Sequence, residues 1–168
     1  MEKVLKNATL CYLRRGDEIL LAPKLTYIGE GLFNGYGGGI EDGEKPEVTA
    51  LRELQEESGV VGNPAALRKI AVADCHNTKS DGEVFVCRVH VYVLTEWTGT
   101  PVASEEMGEP TWFTLNAMPY TEMMLGDALW APVALTRDRP IYTEVWYGPK
   151  QKQLLRPVEI SDLPKDLL

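Results

Sequence analysis

The sequence predicts an α/β fold, with a mixed β-sheet held between helices as an α/β/α sandwich. Three observations lead there. Runs with strand character outnumber helical ones and are bounded by turn residues. Two helical patterns, around Pro46 to Gly59 and Met123 to Thr136, are set to pack on either side of the sheet. A central run, Glu83 to Glu96, carries Val84, Val86, Val89, Val91 and Val93 among mixed partners, so at least part of it is buried on both faces.

The elements follow in order. Val4 to Leu13 reads as a strand, with Glu18 to Ala22 as its hairpin partner across Arg15-Gly16-Asp17. Asn34-Gly35 is a hairpin signal in its own right, and with the glycines after it forms a turn-rich loop. A helix follows. Pro46 suits its first turn, where a missing N–H costs nothing, and Gly59 suits the left-handed position just past its end. Val48, Leu51 and Leu54 recur at three-residue spacing as an apolar stripe, which places Glu53, Glu56 and Glu57 on the opposite face. Leu67 to Ala73 and Glu83 to Glu96 are β-rich, and Thr111 to Thr114 is a short strand. Met123 to Thr136 has a helical pattern around Leu125, Leu129 and Trp130, interrupted by Pro132. Ile141 to Tyr147 and Gln153 to Val158 read as a closing hairpin across Gly148-Pro149-Lys150. One domain is expected over residues 1–160, with Ser161 to Leu168 as a loose tail.

Composition narrows the function classes. A chain of 168 residues with 44% hydrophobic content suits one globular domain. No apolar run is long enough for a bilayer, and MEKVLKNATL lacks the apolar core of a secretory signal, so a cytoplasmic protein is expected. Cys11, Cys75 and Cys87 show no metal or redox spacing, and His76 and His90 pair with no nucleophile pattern. A net charge of −8 argues against nucleic-acid polymers as partners. A small polyphosphate is compatible with that charge when metal ions screen the carboxylates. A monomer is expected.

The chemistry lies in Gly38 to Val60, GGIEDGEKPEVTALRELQEESGV. Glu53, Glu56 and Glu57 stand at i, i+3 and i+4 on one helix face, where like charges repel. A divalent cation removes that repulsion, and Mg²⁺ prefers carboxylate oxygens, retains waters and shares substrate phosphates. Gly37-Gly38-Gly39 permits close backbone approach, and a carbonyl there can add a ligand. Arg52 among carboxylates reads as an organiser that orients them through bidentate hydrogen bonds. Three glutamates alone would read as a solvated acidic face. Gly38, Glu44, Arg52 and Gly59 in fixed register with them argue otherwise.

In that register, G-x5-E-x7-R-E-U-x-E-E-x-G-U with Leu54 and Val60 at the bulky apolar positions, the stretch resembles the signature box of the Nudix hydrolases at every defined position. Seven fixed residues at a usage of about 0.07 each give a chance match of roughly 10⁻⁸ per start. Leu32 to Gly38 and Gly99 to Leu135 are similar to the MutT-homologue members that hydrolyse oxidised purine nucleoside triphosphates, and the similarity runs from about Thr9 to Val158. The resemblance implies a Nudix fold and hydrolysis of the 8-oxo-dGTP type to the monophosphate and pyrophosphate. It implies Mg²⁺, with Mn²⁺ as its alternative, held by the Gly37 backbone and by Glu53, Glu56, Glu57 and Glu106. It pairs Arg52 with Glu44 and makes one of the four metal-side glutamates the general base, with Glu56 preferred. Thr9, Lys24, Asn34, Tyr36, Gly38, Gly39, Met124 and Asp127 are the implied substrate-binding residues, with Phe33 and Trp130 as candidate walls of the base pocket. Helix N-cap is the competing reading for Asp127.

The chain departs from the pattern at two places. The family's first purine-reading aspartate is here Gly126, and its tryptophan is Met124. These departures motivate an alternative substrate, such as ADP-ribose or another nucleoside diphosphate derivative. A third expectation of a different class is a noncatalytic nucleotide-binding regulatory domain, against which the complete set of box carboxylates argues.

Overall fold

Side chains of β1 (Asn7–Arg15) alternate between two cores, as strand geometry requires. Leu10 and Tyr12 enter one core, Cys11 and Leu13 the other. The computed structural model describes Glu2 and residues 4–168, so the N-terminal reading touches Met1 and Lys3 outside the described residues. Among the described residues, eight strands form the main sheet. Along one path they run β10 (Glu159–Asp162), β9 (Ile141–Pro149), β5 (Leu67–Thr78), β6 (Val84–Leu94), β1, β2 (Glu18–Pro23) and β3 (Phe33–Asn34), with β8 (Thr111–Thr114) also paired to β2. The β1–β6 and β5–β9 pairs are parallel and the others antiparallel, so the sheet is mixed. A separate ribbon joins β4 (Val61–Gly62) to β7 (Trp97–Thr98).

Helix α1 (Pro46–Ser58) packs on the Cys11 side through Ala50 and Leu54. Helix α2 (Asp127–Thr136) packs on the Leu10 side through Trp130, Ala131, Ala134 and Leu135. The α/β/α expectation therefore holds. Val91 to Leu94 are buried on both faces, as the valine pattern of the central run predicts. Pro46 starts α1, and Gly59 ends it at φ 81° with its N–H on the Gln55 carbonyl.

Several expectations are corrected. Val48 is 54% exposed, and the buried stripe of α1 is Thr49, Ala50, Leu54, Glu57 and Ser58. Asn34-Gly35 is no hairpin turn. The chain there runs extended beside β1, with bridges Cys11–Tyr36 and Ala8–Gly39. Gly35 serves close packing instead, since a Cβ on it would lie 2.7 Å from the Cys11 carbonyl. β1 begins at Asn7 rather than Val4, β5 runs on to Thr78, and α2 begins at Asp127 rather than Met123. Pro132 lies inside α2 without ending it. Gln153 to Val158 forms no strand; it meets the end of β9 through the Tyr147–Leu154 bridge, with the Gly148 N–H on the Gln153 carbonyl at 2.9 Å and the Leu155 N–H on the Trp146 carbonyl at 2.8 Å, and Pro157 brings no N–H to extend the ladder. The strand that pairs with β9 is β10, in register Glu159–Glu144 to Asp162–Ile141. The expected loose tail is thus partly sheet. Leu163 is buried beyond it, and the Lys69 ammonium donates to the Leu167 carbonyl at 3.1 Å.

Candidate active site

The shift of the α1 stripe changes what its glutamates can do. Glu57 is only 6% exposed, and its Oε1 accepts the Gly37 N–H at 2.8 Å. Glu53 is half-buried against Gly38, where an added Cβ would stand 2.5 Å from its carboxyl carbon. Glu56 remains outside, with 58% of its side chain exposed. The three carboxylates therefore form a graded row from core to solvent, which a solvated face would not show.

Arg52 organises that row. Its Nε and Nη2 grip the two Glu44 oxygens at 2.8 and 2.9 Å. Its Nη1 donates to Glu53 at 2.8 Å and reaches Glu56 at 3.3 Å. The Thr49 hydroxyl at 2.6 Å and the Glu41 N–H at 3.2 Å complete the Glu44 carboxylate. Hydrogen bonds from Arg52, then Thr49, hold the Glu44 pKa down at about 2. Burial pushes Glu57 up to about 8, and the charges of Glu53 and Glu106 add to the rise against the Gly37 N–H and Lys24. Burial also raises Glu53.

Glu106 lies on the loop after β7. It is exposed, but its charge acts on both Glu53 and Glu57. Its carbonyl accepts the Leu25 N–H at 2.9 Å, and Met107 bridges Lys24, so this loop is fastened beside the helix. Among the described residues, no three His, Cys, Asp or Glu side chains already gather as a metal cage. The donors nevertheless suit a hard divalent ion. They are all oxygens, and the carboxylates repel one another across a half-buried edge. An ion with few protein ligands fills its shell with water and phosphate oxygens, which an open row of this kind allows.

A cavity of about 250 Å³ opens from the same place. Gly37 and Gly38 line it, and so do Thr9, Lys24, Asn34, Met124, Asp127 and Trp130. The two glycines thus touch the carboxylate row on one side and the cavity on the other. Thr9 is buried with its hydroxyl unpartnered among the described residues. The Asn34 Oδ1 accepts the Gly35 N–H at 2.9 Å, which leaves the amide NH₂ to donate. Asp127 is not a helix N-cap. Gly126 holds that position, and Asp127 Oδ1 accepts the Trp130 indole N–H at 3.2 Å. Burial pushes the Asp127 pKa up to about 7, against the Trp130 hydrogen bond and Lys24.

Three expected residues are not brought to the cavity. Tyr36 is 0% exposed and belongs to the core beneath α1, because the extended course of this segment sends its ring inward. Gly39 bridges Ala8 and offers its carbonyl to Arg52 at 3.4 Å. Phe33 packs edge-on against Phe113. Conversely, Cys75, Met107, Tyr147 and Gln151 line the cavity without having been expected there. Cys75 and Tyr147 lie on strands adjacent in space and distant in sequence. Gln151 arrives through a turn in which Lys150 and Gln151 both have positive φ. The strand alternation of β5 and β9 carried the only signal for the first two, and it identifies a face without identifying a cavity.

The chain is similar to known proteins over most of its length. A model of the NUDIX domain matches residues 4–133. The chain is 35% identical over 136 residues to an oxidized purine nucleoside triphosphate hydrolase of Danio rerio, covering 80% of this chain and 82% of that one. It is 33% identical over 131 residues to the protein of the same description from Mus musculus, covering 78% and 80%. The crystal structure of a MutT protein from Bacillus halodurans superposes with a TM-score of 0.77 at 24% identity, covering 95% of this chain and all of the other, a likeness of fold.

Proposed function

The chain belongs to the NUDIX domain family, and on that premise we propose that it is a Mg²⁺-dependent pyrophosphohydrolase of oxidised purine nucleoside triphosphates. The products are the nucleoside monophosphate and pyrophosphate, and the role is clearance of damaged nucleotides such as 8-oxo-dGTP from the pool. Use of a divalent metal ion comes with the family. Mg²⁺ as that ion, with Mn²⁺ able to replace it, is part of the proposal.

One observation carries the reading: the shared Gly37–Gly38 backbone between the carboxylate row and the cavity. A ligand lying across it sets its phosphates against Glu53, Glu56, Glu57 and Glu106 and its base toward Asn34 and Asp127. The two relatives described as oxidized purine nucleoside triphosphate hydrolases support the same substrate class.

Residue roles follow from position. The Gly37 backbone and the four glutamates would hold the metal, which would supply charge neutralisation on the phosphates and polarisation of the attacked phosphorus. Arg52 fixes Glu53 and Glu56 through its own anchor on Glu44. Glu56, the most solvent-accessible of the three helix carboxylates, takes the proton of the attacking water. Lys24 offers a cation beside the phosphates. Thr9, Asn34, Met124 and Asp127 contact the nucleoside, and Trp130 keeps the Asp127 carboxyl oriented. Gly38 gives room for the phosphates.

No helix among the described residues is long and apolar enough to cross a membrane. A cytoplasmic monomer that acts on small nucleotides and binds no nucleic-acid polymer completes the proposal.

The test is kcat/KM for 8-oxo-dGTP against dGTP, dATP and ADP-ribose with Mg²⁺, with E56Q as control. Preference for 8-oxo-dGTP of tenfold or more, about 1.4 kcal/mol of discrimination, together with loss of turnover in E56Q and in chelator, is the expected result. Preference for ADP-ribose would show that Gly126 and Met124 have redirected the pocket. Nucleotide binding with no turnover under any metal would point to a regulatory domain.

A further inference from the structure

Tyr147 lies in β9, lines the cavity and is almost wholly buried. Its phenol oxygen accepts the Gly126 N–H at 3.0 Å. None of the described residues takes its proton. A phenol has one proton to donate besides its acceptor lone pairs, so this hydroxyl is half spent, with its donor unmatched inside a ligand cavity. An unmet buried donor is costly unless something supplies an acceptor.

Gly126 corroborates the arrangement. Its φ of −71° is ordinary, so backbone freedom does not explain a glycine there. Space does. A Cβ on residue 126 would stand 2.5 Å from the Tyr147 hydroxyl and 2.6 Å from Val145 Cγ1. Gly126 and Tyr147 are thus a matched pair, in which a hydroxyl from β9 fills the space where a side chain from the start of α2 would otherwise begin.

The neighbouring polar groups lean the same way. Asn34 has one lone pair of its oxygen engaged by Gly35, with its amide N–H groups there to donate to a ligand. The buried Thr9 hydroxyl has no partner among the described residues. Asp127 is the one carboxyl among the described residues that line the cavity. Donors fixed in a cavity select for acceptors; a purine offers unprotonated ring nitrogens and, in its keto forms, ring carbonyls, and an amino purine replaces such a carbonyl with a donor. An exocyclic amine in the same place meets a donor with a donor.

Building on the nucleotide reading above, we infer that Tyr147 is a specificity-determining residue whose hydroxyl donates to a ring carbonyl of the base. The pocket thereby prefers keto purines to amino purines. A site built to hydrogen-bond a group rejects the analogue that lacks it far more strongly than an apolar pocket rejects an added group.

The experiment measures kcat/KM of the native protein and of Y147F on four triphosphates: 8-oxo-dGTP with two ring carbonyls, dGTP and 8-oxo-dATP with one each, and dATP with none. In the native protein, 8-oxo-dGTP is expected to exceed dATP by tenfold or more. In Y147F that ratio is expected to fall at least tenfold, and whichever of dGTP and 8-oxo-dATP falls with it identifies the carbonyl that is read. A native protein that is selective, with ratios unchanged in Y147F, overturns the role of the hydroxyl and leaves the nucleotide reading standing. A native protein that hydrolyses none of the four overturns both. If Y147F does not fold, the native series decides by itself: dATP turned over as well as dGTP and 8-oxo-dATP refutes a donor aimed at a carbonyl.

Discussion

Replacing Gly37 or Gly38 by alanine should have opposite signatures, although the two residues are adjacent. A Cβ on Gly37 would lie 1.9 Å from the Thr9 carbonyl oxygen and 2.8 Å from its carbon, both backbone atoms of β1. Real Cβ atoms keep at least 3.0 Å from such neighbours. One backbone must therefore retreat by about 1 Å, and a well-packed strand does not do so freely. That retreat stretches the Thr9 N–H to Gly38 carbonyl bond of 2.9 Å past useful length and pulls the Gly37 N–H from Glu57. Two lost hydrogen bonds at about 1 kcal/mol each, plus overpacking at about 1–3 kcal/mol, give a loss of about 3–5 kcal/mol. In a domain of this size the melting temperature should fall by roughly 10 °C.

Alanine at Gly38 meets something softer. Its Cβ would press on the carboxyl end of Glu53, at 2.5 to 2.7 Å, and that end can swing aside. The stability cost is then about 1 kcal/mol. The swung carboxylate leaves Arg52, however, and metal-dependent kcat should drop by about 10- to 100-fold, as expected when a group is displaced by about 1 Å. The assay is a thermal melt of each variant in metal-free buffer, followed by kcat across a Mg²⁺ titration. A G37A protein with a native melt, or a G38A protein with native kcat, would refute the close approach on which the site rests.

Three further outcomes follow. R52K keeps the charge and loses the two-pronged grip on Glu44, so kcat should fall with little change in KM, and a rise in KM alone would make Arg52 a substrate ligand. The Asp127 pKa of about 7 means that the folded chain keeps a proton which the unfolded chain releases near pH 4. Stability from this group is therefore complete below that pH and is lost as pH rises toward 7. D127N should flatten that part of the profile in metal-free denaturant titrations, and parallel profiles for D127N and the native chain would count against it. The Asp74–Arg88 pair, two bonds of 2.8 Å on the face of the sheet away from the cavity, should be structural only: R88A costs about 1–2 kcal/mol with kcat/KM unaltered, and a kinetic effect there would contradict the separation of the two faces.

The sequence by itself determined the identity of the chemistry and the local form of α1. Pro46, Gly59 and the spacing of Glu44, Arg52, Glu53, Glu56 and Glu57 are local facts, since a helix fixes relative positions over three or four residues without help from the rest of the chain. The two-sided burial of Val91 to Leu94 was legible for the same reason, through composition along one strand. Tertiary structure decided which glutamate is sealed and which is open. Val48 turned outward and Glu57 inward, because β1 and the extended segment beside it offered a backbone N–H at Gly37 where helical periodicity foresaw only solvent. It also decided the far end of the cavity. Gly126 and Tyr147 meet there from two separate stretches. Nothing within any one stretch records that meeting, because a phenol on β9 and an absent side chain at the start of α2 acquire a joint meaning only when packing brings them within van der Waals reach.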